Sequence, residues 1–570
     1  MRASLRAAAR ILLLSALVGA FVAFVLPGYW VFLATSVVIA AVSLMSLGVV
    51  AGRTGMISLC QMTFAGVGAW TVGYLNVAEA PGGLALWIVV GGLAAVPFGV
   101  AIGLPALRLR GINLAIVTLG FAAAFDAVLA TITFPGQTAF ISVVRPELFD
   151  SDSGYFLFAL IFFAAIAIAL DFIARSRLGA AWLAIRHSER AAAAHGVRIP
   201  AAKLSAFAIS AFVAGVSGGL LAGYLSTLVS QNFDMMQSLV LFAVATMAGA
   251  QTAEGALIGG LLGVVFPEIL RRLNLTQDVG NVLFSVGATQ ALSSGETMSD
   301  SLNRALRRWR RAAPARQTRA DTASLPPPKH RAASLDALAV RAVTVRYGAV
   351  LALDKVDLTV PAGGVVGLIG PNGAGKSTLI DAVGGFIGYE GRVELAGRPL
   401  EGVPAFRRAR LGVRRTWQTT RIAPELTVGA YLRLSAGRLD DGEMDAILAW
   451  IGCPGPETKV ANVDAGARRL LDVAGVAAAR PAVVLLDEPA AGQSYDEAIR
   501  LSRRIAEIPS LFGSAVLLIE HDMDLVRAAC QSVTVLDFGR VIASGPTLDV
   551  LTRAEVRKAY LGVDEETAAA

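Results

Sequence analysis

Charge is scarce in this chain. Asp, Glu, Lys and Arg supply 16% of its 570 residues, against about 25% in soluble globular domains. Hydrophobic residues reach 55%, which excludes an ordinary soluble protein. The deficit is uneven: the first half is nearly uncharged and the second half is ordinary. Cysteine is scarce too. Cys60, Cys453 and Cys530 lie far apart and form no CxxC pair, so neither a disulfide framework nor a zinc site is readable. Recognisable RNA- or DNA-binding motifs are also missing, so the net charge of +7 is not read as nucleic-acid binding. Much of that charge lies in short segments beside apolar runs and in one linker. Basic residues there mark the cytoplasmic side of a membrane.

Apolar runs fill the first half. After the basic start MRASLRAAAR comes ILLLSALVGAFVAFVL, read as a retained first helix rather than a cleaved signal. Further runs lie near 30–51, 57–77, 84–105, 112–132, 154–173, 204–228 and 238–265, with a weak one at 279–292. Most approach the ~20 residues a helix needs to cross a bilayer, so roughly eight to ten spans are expected. Recurring small residues suit close helix packing in lipid. Arg108, Arg110, the loop from Arg175 to Lys203, and Arg271 with Arg272 are assigned to the cytoplasmic face. The loop 133–153 holds Arg145 alone among basic residues and is expected to face outward. Asp126 is the only acid in the 112–132 span. It is either a functional carboxylate or a bond to a neighbouring helix. Residues 300–335 are basic and Ala/Pro-rich and read as a cytoplasmic linker. Within it RALRRWRR is either a membrane-lipid contact or simply solvated. Strand-like and helix-like segments then alternate, as in an α/β domain.

The strongest chemical signal is GPNGAGKS, from Gly370 to Ser377. It follows the apolar strand VVGLI and opens a helix, the context a phosphate-binding P-loop requires. Gly370, Gly373 and Gly375 let the backbone wrap the phosphates, together with Pro371, Asn372, Ala374 and Thr378. N–H groups and the helix N-terminus point at the anion. Lys376 is placed on the β- and γ-phosphates of ATP and the Ser377 hydroxyl on Mg²⁺. A second element, VVLLDE, delivers Asp487 and Glu488 at a strand's C-terminal end. Asp487 is assigned to Mg²⁺ and Glu488 to polarising the attacking water.

With these motifs in order, residues 337–562 resemble an ABC-type ATPase. The resemblance implies that Tyr347, in VRYGAV, stacks on adenine. It implies that Gln418, in RTWQTT, meets Mg²⁺ and senses a permease, and that His521, in LLIEHDMDLV, contacts the γ-phosphate. RTWQ, DEPAAG, LLIEHDMDLV and the ending AYLG are similar to the ATPase of branched-chain amino-acid importers. The catalytic set implied is Glu488, His521, Lys376 and Gln418. One motif departs from the family. The expected signature falls on VDAGA, 463–467, where only Gly466 survives and Asp464 replaces a serine. A carboxylate beside a triphosphate is unfavourable, although Asp464 would also cap the following helix. Two unequal ATP sites are therefore expected. Ser494 stands where Asp or Asn is usual, and a trimmed helical subdomain is expected between Gln418 and the signature.

Residues 30–272 resemble the permease of the same importers. GRTGMISLCQMTFAGVGAWT and GLPALRLRGINLAIVTLGFA carry the likeness. RSRLGAAWLAIRHSERAAAAHGV is similar to its cytoplasmic coupling loop, with Glu189, Ala191 and Ala192 expected to dock beside the Q-loop. The expected fold is a polytopic α-helical membrane permease (1–295), a basic linker (296–336) and an α/β P-loop ABC ATPase (337–570). The expected function is ATP-driven import of branched-chain or similar hydrophobic amino acids across the bacterial inner membrane. The expected partners are a second permease, a second ATPase and an extracytoplasmic substrate-binding protein. An ABC exporter half-subunit and a membrane-tethered ATPase regulator are the alternatives.

Overall fold

The structure is a computed structural model that describes residues 2–138, 141–225, 227–309, 325 and 336–561. The chain forms two compact units. One comprises Met1–Trp182 and Ile199–Ala313, the other Leu183–Arg198 and Pro314–Ala570.

The first unit is helical. Its helices are α1 (Arg2–Val25), α2 (Gly28–Leu47), α3 (Gln61–Val77), α4 (Gly83–Gly103), α5 (Ile112–Leu129) and α6 (Asp152–Arg175). After α7 (Arg177–His187) and α8 (Glu189–Ala194) come α9 (Ile199–Leu225), α10 (Met235–Ala248), α11 (Ala253–Arg272), α12 (Gln277–Ser294) and α13 (Met298–Trp309). Seven stretches among the described residues are long and apolar enough to cross a bilayer: α1, α2 with its π-helical extension to Arg53, α4, α5, α6, α9 and α11. Shorter or more polar helices, α3, α10 and α12, lie among them. The centre is α3, α4 and α9, which approach to backbone contact. A Cβ on Gly68 would lie 2.1 Å from the Gly215 carbonyl oxygen, and one on Gly91 would lie 2.7 Å from that of Gly68. Dispersion between closely placed backbones is the main attraction available to helices in lipid.

Non-helical backbone enters this apolar unit just before α3, and it is satisfied by side chains. The Leu59 N–H donates to Thr118 Oγ1 at 3.1 Å and the Met62 N–H to Ser238 Oγ at 3.1 Å. Gln61 Nε2 donates to Ser210 Oγ at 3.1 Å. Such a break is tolerated in a bilayer only where protein groups replace water. Asp126 is partly buried on α5, and its side chain makes no hydrogen bond or ion pair among the described residues.

Two expectations need correction. The run 238–265 is not one span. Gly249 takes φ +81°, and Thr252 caps a new helix through the Gly255 N–H, so α10 and α11 are separate and the chain reverses between them. That reversal moves Arg271 and Arg272. The Arg145 side chain donates to the Gly223 and Tyr224 carbonyls at the end of α9, opposite its start beside the 176–198 loop. Arg145 also pairs with Asp152 at the start of α6, and Ser153 donates to the Ala23 carbonyl. The α1–α2 turn therefore lies on that far face. There Tyr29 donates to Glu268, and Arg272 sits 5.3 Å over the Tyr29 ring. Arg271 and Arg272 thus lie at the end of the helical unit opposite the start of α9. Both pair with Glu268, which offsets the charge that suggested the other side. The helix α13 also falls inside the stretch expected to be linker.

The second unit is α/β. An antiparallel sheet of order β2-β1-β4-β5 comprises β1 (Asp336–Tyr347), β2 (Val350–Pro361), β4 (Glu390–Leu395) and β5 (Arg398–Pro399). The main sheet, of order β10-β9-β3-β8-β7-β6, comprises β3 (Val365–Ile369), β6 (Val413–Arg415), β7 (Val483–Asp487), β8 (Ala515–Ile519), β9 (Ser532–Asp537) and β10 (Arg540–Pro546). Its strands β6, β7, β8, β3 and β9 run parallel, and β3, β7 and β8 are buried throughout. Uninterrupted apolar strands of this kind belong to a sheet covered on both faces. Helices α14 (Lys376–Gly384), α15 (Ala405–Leu411), α18 (Ala465–Ala478), α19 (Tyr495–Phe512) and α20 (Met523–Ala529) follow the strands. α16 (Val428–Ala436) and α17 (Asp441–Ile451) form a small helical subdomain, and α21 (Thr547–Leu551) and α22 (Ala554–Leu561) close the described chain.

Candidate functional site

Parallel strands deliver their ligands at their carboxyl ends, and four stretches meet that rule here. The P-loop joins β3 to α14. Gly370, Gly373 and Gly375 have φ of +152°, +84° and +100°. At Gly370 a Cβ would lie 2.1 Å from the Leu536 carbonyl oxygen, so only glycine fits. Lys376 is 8% exposed, and its Nζ donates to the Gly370 and Pro371 carbonyls at 2.6 and 3.0 Å. Burial lowers its pKa, while Glu488 and Asp487 act to raise it. An ammonium held by the loop's own carbonyls is a cation already poised for an anion. Pro371, Asn372, Ala374, Ser377 and Thr378 occupy the same loop and the first turn of α14.

Asp487 ends β7 and Glu488 follows it. Glu488 has φ +46°, an uncommon conformation for a side-chain-bearing residue. Its carboxylate accepts from Gln418 Nε2 at 2.8 Å. The Asp487 N–H donates to Thr416 Oγ1 at 3.2 Å. The structure therefore brings Gln418, Asp487 and Glu488 together. Ser377, Gln418 and Asp487 supply oxygen donors, a set that suits Mg²⁺.

His521 and Tyr347 stand apart from this group. His521 follows β8, is 62% exposed in its side chain, and lies 3.9 Å from the Glu520 carboxylate. No hydrogen bond joins it to Glu488 among the described residues. Tyr347 ends β1 and is 51% exposed. At that exposure the side chain is accessible to a ligand.

Asp464 caps α18, its Oδ1 accepting the Ala467 N–H at 2.8 Å, and Gly466 sits in the first turn. Ser494 forms a capping box with Glu497 at the start of α19. The coupling segment packs inside the second unit. Ser188 caps α8, and Ala191 and Ala192 are buried at 4% and 0% exposure. Arg410 Nε donates to the Gly196 carbonyl at 2.8 Å, and Arg414 Nη1 to that of Ala194 at 3.3 Å. Arg186 lies 3.8 Å from Glu425, just beyond the Q-loop. Glu189, in the first turn of α8, is half-buried.

Sequence reasoning missed Arg415. This guanidinium is 4% exposed in its side chain, pairs with Asp381 and with Asp487 at 3.4 Å, and stacks 3.9 Å over the Trp417 ring. A charged residue ending a buried strand, two residues before an aromatic, was the available signal. Glu520 was also missed. It is 2% exposed and accepts the Ala490 N–H. Burial pushes its carboxyl above the usual range.

Residues 26–286 match the family described as the branched-chain amino-acid transport system permease component, and residues 353–491 match the ABC transporter family. The high-affinity branched-chain amino acid transport ATP-binding protein LivG of Salmonella typhimurium is 33% identical over 250 residues, 40% of this chain and 97% of that protein. This chain belongs to the branched-chain amino-acid ABC transporter family. The transport ATP-binding protein BraF of Pseudomonas aeruginosa is 34% identical over 251 residues, 97% of its length. A nucleotide-free ATP-binding cassette of known structure is 25% identical, with 40% of this chain and all of that one covered, at a TM-score of 0.36. As a member of that family the chain joins a permease to its ATPase in one polypeptide. It binds ATP, couples ATP hydrolysis to transport, and is a membrane protein whose ATPase faces the cytoplasm. The loop 183–198, packed in the ATPase unit, is therefore cytoplasmic, and so is the start of α9 into which it leads; Arg271 and Arg272 lie at the opposite end of the helical unit.

Proposed function

We propose that this chain is one half of an ATP-driven importer of branched-chain or similar small hydrophobic amino acids in the bacterial inner membrane. A second permease and a separate second ATPase complete it, and an extracytoplasmic binding protein delivers the substrate. The observation that carries this reading is one chain holding both a permease of the branched-chain amino-acid family and an ATPase site with Lys376, Asp487, Glu488 and Gln418 in place.

Lys376 exchanges its two carbonyl partners for the β- and γ-phosphates of ATP. Ser377, Gln418 and Asp487 would hold Mg²⁺, which would supply positive charge to screen the phosphates. Glu488, oriented by Gln418, takes hydrogen bonds from the attacking water and raises its nucleophilicity. His521 meets the γ-phosphate when the site closes, and Tyr347 stacks on adenine. Asp464 faces the γ-phosphate of the partner ATPase and weakens hydrolysis there, so the two sites are unequal.

Uptake of labelled leucine into proteoliposomes tests the proposal. The chain is assembled with its partner subunits and binding protein, with ATP on the ATPase side. Uptake that requires ATP and binding protein is expected. ATP-driven movement of leucine away from the binding-protein side would overturn it.

A further inference from the structure

The coupling segment ends in a histidine that family resemblance did not single out. His195 is 6% exposed and buried in the second unit. Ser435 Oγ lies 2.6 Å from its Nδ1, and Tyr431 Oη lies 3.3 Å from its Nε2. The Tyr431 ring meets the imidazole edge to face, with centroids 5.3 Å apart. Tyr431 Oη donates to Asp472 Oδ1 at 2.6 Å. Asp472, on α18, lines one small cavity with Trp417, Gln418 and Glu488, and the Trp417 backbone N–H favours its charged form. The residue after Trp417 is Gln418, whose amide holds the Glu488 carboxylate.

The sense of this chain is determined. An ionised Asp472 only accepts, so the single Tyr431 hydroxyl proton points to it. Tyr431 Oη then accepts from His195 Nε2–H, which leaves Nδ1 as the acceptor of the Ser435 hydroxyl. Burial holds His195 neutral, down to about 3, as that tautomer requires. Each donor has one acceptor, so displacing His195 disturbs the next bond in line.

We propose that His195, Tyr431 and Asp472 form a positioning relay through which the coupling segment sets the Trp417–Gln418 backbone, and thereby the orientation of Glu488. His195 is the reporter, since it sits on the segment leading directly into α9. Tyr431 bridges the helical subdomain, and Asp472 clamps the Q-loop to the helix that follows the altered signature. None of the three touches ATP. The relay depends on the coupling of hydrolysis to transport, not on the direction or cargo proposed above.

The test is ATP hydrolysis by the full chain in its assembled transporter, with ATP as the only added ligand, so a failure of the import reading leaves it unaffected. Tyr431→Phe removes both hydrogen bonds and keeps the ring. It should lower kcat about fivefold and leave the KM for ATP within about twofold. In a Gln418→Ala background the same change should have almost no further effect, because coupled residues are non-additive. Ser435→Ala disturbs only the far end and should show the same dependence on Gln418, which keeps the test open if Tyr431→Phe fails to assemble. Unchanged kcat in both variants overturns the relay. So does a loss that multiplies in full with that of Gln418→Ala, the behaviour of residues that merely support the fold.

Discussion

Arg415 concentrates more of the ATPase site than any residue the motifs name. One buried guanidinium ties α14 through Asp381, the end of β7 through Asp487 and the Q-loop through Trp417. Removing one partner of a buried ion pair leaves a carboxylate without compensation and costs about 3–5 kcal/mol. Arg415→Gln should therefore lower the thermal unfolding midpoint of the ATPase sharply, as read by calorimetry of the purified transporter. Arg415→Lys should recover part of the loss, since an ammonium keeps the charge but not the planar fork. Glu488→Gln leaves a neutral side chain of the same size, so ATP binding should persist while turnover falls about 100-fold or more. Equilibrium nucleotide binding beside steady-state hydrolysis separates the two effects. The P-loop and the paired acids were legible in the sequence because glycine, lysine and carboxylates fall there at the spacing a phosphate site requires. Arg415 and His195 were not. Their roles come from charges and hydrogen-bond partners that meet only after β6, β7 and α8 are packed.

At the scale of elements, α8 and the α3–α4–α9 core respond to different variables. The histidine after α8 has an ordinary value of 6.5 and is driven to about 3 by burial, with Arg414 adding repulsion. Released from its pocket it takes up a proton as pH falls below 6.5, whereas docked it does not, so docking weakens on acidification. Asp472 opposes this below about 6, its carboxyl being raised from 3.8 by burial, but the histidine shift is the larger. Hydrogen exchange at 189–197 should show less protection at pH 5.5 than at pH 7.5 after correction for intrinsic rates, and His195→Gln should remove the difference. In the helical core, Gly68→Val places a side chain against the Gly215 backbone. Overpacking of this kind costs about 1–3 kcal/mol, and a lower melting temperature in detergent is expected. The apolar runs made most helices legible. The reversal between α10 and α11 was hidden because GAQTAEG sits inside a stretch whose composition alone reads as one span. The side of Arg271 and Arg272 followed that error.

For the whole transporter, the altered signature as proposed above predicts an asymmetry. If this chain's own P-loop carries the productive site, Glu488→Gln abolishes most turnover of the assembled complex, and the equivalent change in the partner ATPase removes little. Steady-state hydrolysis of the two single variants decides it, and the reverse ranking would show that VDAGA still supports catalysis. The segment 183–198 and the ATPase that receives it are also parts of one polypeptide. Their association is intramolecular, governed by an effective concentration that reaches about millimolar for short connections rather than by the number of molecules in the cell. Dilution cannot separate them, and a competing cassette would have to displace a partner that never diffuses away. A groove that grips α8 only weakly can therefore release and recapture it in every cycle without exchanging cassettes between transporters.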